Sequence, residues 1–148
     1  MPTDFTNILF TKIIEPLTSL INAEFSVPVH YDEHRGNTSF LITPQSDSLV
    51  TQLSYGTQRE YEISISYQVK FGGSYNKNSV KQVSGIMERL KRMVNNNPTS
   101  NGGGEFFDAN ISSIEYERDE DDKSLLRGIA TFNCQNIEAL NESKSKIK

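Results

Sequence analysis

From Arg59 to Phe71 the chain alternates so regularly that one local structure suits it best. Successive side chains of a strand point to opposite faces, so Tyr61, Ile63, Ile65, Tyr67, Val69 and Phe71 would share one face. Glu60, Glu62, Ser64, Ser66, Gln68 and Lys70 would share the other. A strand this long with one wet face does not suit a parallel sheet covered on both sides. It predicts an antiparallel sheet with one solvated face.

The segments around it fill in the frame. Phe5, Ile8, Leu9, Ile13, Leu17, Leu20 and Ile21 recur at helical steps, with Asp4 as N-cap and Pro16 as the site of a kink. "VPVHYDEHRGN" and "TSFLITP" read as two short strands in a loose hairpin, and "SDSLVTQLSYGTQ" leads through a turn at Gly56 into the long strand. Ser79 and Gln82 form a capping-box pattern that opens a second helix, whose apolar stripe is Val80, Val83, Ile86, Met87, Leu90, Met93 and Val94.

Asn, Pro and Gly mark a flexible loop over 95–104. Ile114 and Tyr116, then Leu126, Ala130 and Phe132, define two further strands joined by an acidic turn, before a polar tail over 139–148 that is expected to fray. Runs of strands separated from helices predict a single α+β domain over 1–148: an antiparallel or mixed sheet with two main helices on one face.

Few of the residues point to chemistry. The formal charge of −4 and pI near 5.2 disfavour a nucleic-acid-gripping surface, and no stretch has the apolar length of a membrane-spanning helix. With one cysteine, no intrachain disulfide forms, and the N-terminus lacks a signal-peptide pattern, so synthesis in a reducing cytoplasm is expected. His30 and His34 would project from one face of an extended segment about 13 Å apart, too far to share a metal. Cys134 sits at an alternating strand position, as a small core residue does. The acidic run Asp119, Glu120, Asp121 and Asp122 lacks the glycine and closing glutamate of a calcium loop and reads as a solvated hairpin tip. The glycine clusters lack the spacing and lysine of a phosphate loop. No catalytic, metal or cofactor-binding residue is assigned, and an enzyme is the minority reading.

The order of helix "FTNILFTKIIEPLTSLI", strand hairpin, polar-faced strand "REYEISISYQVKF", helix "SVKQVSGIMERLKRMV" and closing hairpin "ISSIEYERDEDDKSLLRGIATFNC" resembles the tail terminator and tail-completion proteins of tailed bacteriophages, over nearly the whole chain. The resemblance implies a cofactor-free virion protein of the tail-neck region, made in the bacterial host's cytoplasm. It implies a homohexameric ring that caps the tail tube, stops its elongation and offers a docking surface to the head. The implied partners are further copies of the chain, the tail tube protein and the head-tail connector or neck protein, with genomic DNA passing through unbound. Under this resemblance Asp119 to Asp122 would face the lumen or a neighbour, and Leu49, Leu53, Tyr55 and Arg59 would touch the tube or an adjacent subunit. A head-tail connector or neck protein is the alternative, followed by a small adaptor or a metal-dependent enzyme.

Overall fold

In the computed structural model, residues 5–74 and 76–139 are described. A π-helical stretch, Leu9–Ile14, runs directly into α1, Glu15–Glu24. Pro16 explains the change of pitch. It has no N–H to donate to the carbonyl four residues back, and its ring crowds that carbonyl. The wider turn relieves this, with the N–H of Glu15 bonded instead to Phe10 O. The apolar face continues through the junction, and Ile13, Leu17 and Ile21 are fully buried. The expected cap Asp4 lies outside the described residues.

The strands are β1 (Val29–His30), β2 (Thr38–Leu53), β3 (Gly56–Lys70), β4 (Phe107–Arg118) and β5 (Leu125–Ala139), and they form one sheet in the order β1-β2-β3-β5-β4. The fold is α+β with a mixed, mostly antiparallel sheet. β1 and β2 do not form the expected hairpin. They pair parallel over two residues, Val29 with Phe40 and His30 with Leu41, because the intervening 31–37 segment crosses back before β2 begins. β2 is one long strand where two short segments were expected, and it turns through Ser54 and Tyr55 into β3.

β3 and β5 pair without interruption from Gly56–Ala139 to Lys70–Leu125. β5 therefore lies between β3 and β4, and the connection from β3 through α2 (Lys77–Asn96) to β4 passes over it. Ala139, expected at the start of a frayed tail, ends this ladder opposite Gly56, while residues 140–148 lie outside the described residues. The helix cap also differs from expectation. Asn76 is the N-cap, its Oδ1 accepting from the N–H groups of Asn78 and Ser79, and Ser79 Oγ accepts from Asn76 N–H.

The buried side chains form one connected cluster. Tyr61, Ile63, Ile65, Tyr67 and Val69 of β3 and Leu126, Ala130, Phe132 and Cys134 of β5 share it with Val83, Met87, Leu90 and Val94 of α2. Phe40 bridges Phe25 and Tyr67, with ring centroids 5.1 and 5.2 Å away. Arg89 closes this corner. It lies over the Phe25 ring and donates to Glu24 Oε1 and to the carbonyl of Glu24, fastening the end of α1 to α2. The 95–104 loop is tied to the sheet, since Asn136 Nδ2 donates to Glu105 O and Ala109 N–H donates to Pro98 O. The second polar atom of Asn136, Oδ1, is buried with no partner among the described residues.

Candidate assembly surfaces

Four features of the described surface stand out beyond the core. The first is the acidic turn between β4 and β5. Asp119 Oδ1 accepts from the N–H groups of Asp121 and Asp122, and Asp122 Oδ1 accepts from the N–H and hydroxyl of Ser124. Asp122 also lies 3.5 Å from Lys70 Nζ. The Ser124 hydrogen bonds and then Lys70 hold the Asp122 carboxyl below its ordinary range. The acidic run therefore divides into two parts. Asp119 and Asp122 shape the turn, while Glu120 and Asp121 are exposed at its apex.

The second feature is the far half of β2. From Pro44 to Gln52 every residue is exposed, and with the turn this forms an arm carrying Leu49, Val50 and Tyr55 at about half exposure. Leu49 and Tyr55, two of the expected contact residues, do lie on this free surface. Leu53 is only half-buried, and Arg59 is engaged within the chain by Asp47 at 2.5 Å. Bulges after Pro44 and Leu49 interrupt the register with β3, and both faces of the arm are open, so adjacent Leu49 and Val50 are both exposed.

The third is the polar face of the sheet, away from the core. The 31–37 segment folds onto it and seats His34 between two serines, Nδ1 2.7 Å from Ser39 Oγ and Nε2 2.9 Å from Ser66 Oγ. His34 therefore does not continue the strand after His30, as an extended reading of the segment would have it. Both serines are buried. Burial, then the positive charge of Arg127, push the His34 pKa down to about 4, so the ring is neutral near pH 7. Its partners are two hydroxyls, and Asp32 is taken by Arg35, so no carboxylate orients the imidazole as in a hydrolase triad. Among the described residues no three His, Cys, Asp or Glu side chains group to hold a metal. The Cys134 thiol is buried in the core, which together with Glu60 pushes its pKa up to about 12.

The fourth was not anticipated. Val80, assigned to the buried stripe of α2, is 42 % exposed, and Tyr116 of β4 is 55 % exposed. Between them, floored by Val83 and Leu126, lies a groove of about 190 Å³. Helical periodicity places Val80 on the apolar side but cannot show that β4 stops short of covering it.

No protein-family model and no curated protein sequence matches the chain. Among solved structures it is similar to a chain of the virion of a native gene transfer agent particle, with a TM-score of 0.58 over 90% of this chain and 100% of that one, at 11% sequence identity. At that identity the likeness is one of fold. No helix among the described residues is long and apolar enough to cross a membrane.

Proposed function

We propose that the chain is a non-enzymatic structural protein of a virion, a ring-forming tail terminator that caps the tail tube and docks the head. The observation that carries this reading is the fold itself, which is similar along the whole of a chain that belongs to a virion particle. The surfaces agree with such a role. Among the described residues, β4 at one side of the sheet and the arm of β2 at the other are both unpaired along their outer edges, and such edges can join identical subunits head to tail.

In this reading the partners are further copies of the chain, the tail tube protein and a head-side connector. Glu120 and Asp121 line or approach the channel, where negative charge repels passing DNA. Negative-stain electron microscopy of the purified protein, with its native mass, tests the proposal. Sixfold rings with a central hole are expected. A chain that stays monomeric and does not cap purified tail tubes would instead fit a connector or neck role.

A further inference from the structure

The arm of β2 and the groove between α2 and β4 both present large exposed apolar side chains. They belong to opposite ends of the sheet. The arm's turn adjoins Gly56, which pairs with Ala139, whereas the groove lies where Tyr67 of β3 and Tyr116 of β4 both pair with Gly128. Eleven residue steps of extended β3 run from Gly56 to Tyr67, roughly 36 Å at strand rise. The two features also sit toward opposite edges of the strand order. An arm cannot reach the groove of its own chain.

The chemistry of the two surfaces matches. From Pro44 to Tyr55 the arm has one charged residue, Asp47, and Arg59 already neutralises it. The groove offers Val80, Val83, Leu126 and the Tyr116 ring, and at its rim Arg127 is engaged by Glu117 and Gln68. A neutral apolar occupant leaves the Arg127–Glu117 pair intact, whereas a charged one would compete with it.

We infer that the Leu49–Tyr55 arm of one subunit seats in the Val80–Tyr116 groove of the next copy. Donor and acceptor surfaces differ, so the contact is heterologous. Repeated with rotation it closes a ring in which every arm and every groove is filled. This rests on the ring-forming reading above and specifies the contact within it.

Disulfide trapping tests it. The native Cys134 is buried, so the Tyr55→Cys/Val80→Cys double variant presents two reactive thiols on exposed positions. On mild oxidation it is expected to give a ladder of covalent multimers ending at the ring size, while each single variant gives none beyond a dimer. Tyr55→Asp and Val80→Asp should each abolish assembly with unchanged far-ultraviolet circular dichroism. Wild-type rings in micrographs without a ladder would reject this contact and leave the ring reading intact. Absence of both rings and tube capping would reject both. In assembled tails, cross-linking of Val80→Cys to the tube protein alone would assign the groove to the tube and also refute the inference.

Discussion

Met87 of α2 rests directly on Gly128 of β5: a Cβ added to that glycine would lie 2.6 Å from Met87 Cγ and 2.8 Å from Sδ. Gly128 is the point at which the helix approaches the sheet closely enough to leave no room for a methyl group. Gly128→Ala is expected to destabilise the fold by roughly 1–3 kcal/mol through overpacking, with the flexible Met87 side chain absorbing part of the strain. In a Met87→Ala background the same substitution should cost less. Urea unfolding of the four proteins gives the coupling, and additive effects would mean that the contact is not the cause.

Gly56 is more tightly confined. A Cβ there would meet the carbonyl oxygen of Glu138 at 2.1 Å, and backbone cannot swing aside as a methionine does. Gly56→Ala should therefore detach the root of the β2–β3 arm from the end of β5 and leave the core around Phe132 in place. Amide hydrogen exchange checks this, with protection lost at residues 56–60 and 135–139 and retained at 63–69.

His34 makes stability depend on pH in a defined window. Its ring binds a proton near pH 4 in the folded chain and near the ordinary 6.5 when unfolded. Between those values the unfolded state holds more protons, so the contribution is full above pH 6.5 and is lost as pH falls toward 4. Allowing for partial solvent access to the ring, roughly 1–2 kcal/mol should disappear across this range. Denaturant midpoints for wild type and His34→Gln test it: the difference between their pH profiles should change between pH 6.5 and 4, and parallel profiles would refute it.

The acidic turn should respond differently at its two kinds of position. Asp119→Ala and Asp122→Ala remove acceptors of the turn's own N–H groups and should lower the thermal midpoint. Glu120→Lys with Asp121→Lys should leave the midpoint unchanged and, under the lumen proposal, slow DNA ejection. Normal ejection by virions carrying the double reversal would remove these residues from the channel wall.

Much of this molecule is written in local patterns. The alternation over Arg59 to Phe71, the 3.6-residue spacing of Val83, Met87, Leu90 and Val94, and the acidic break before Leu125 each depend on a few neighbouring residues. The elements they predict are present, because burying one face of a strand or helix is a requirement that the chain meets segment by segment. The alternation also determined that one sheet face would be polar. Tertiary structure alone decided that β5 lies between β3 and β4, that β1 runs parallel to β2, that His34 crosses to the serines of the polar face and that Val80 stays uncovered. Each of these joins residues distant in sequence, as Ser66 is from His34 and Tyr116 from Val80. Their partners are chosen by how whole elements pack, which no local period encodes.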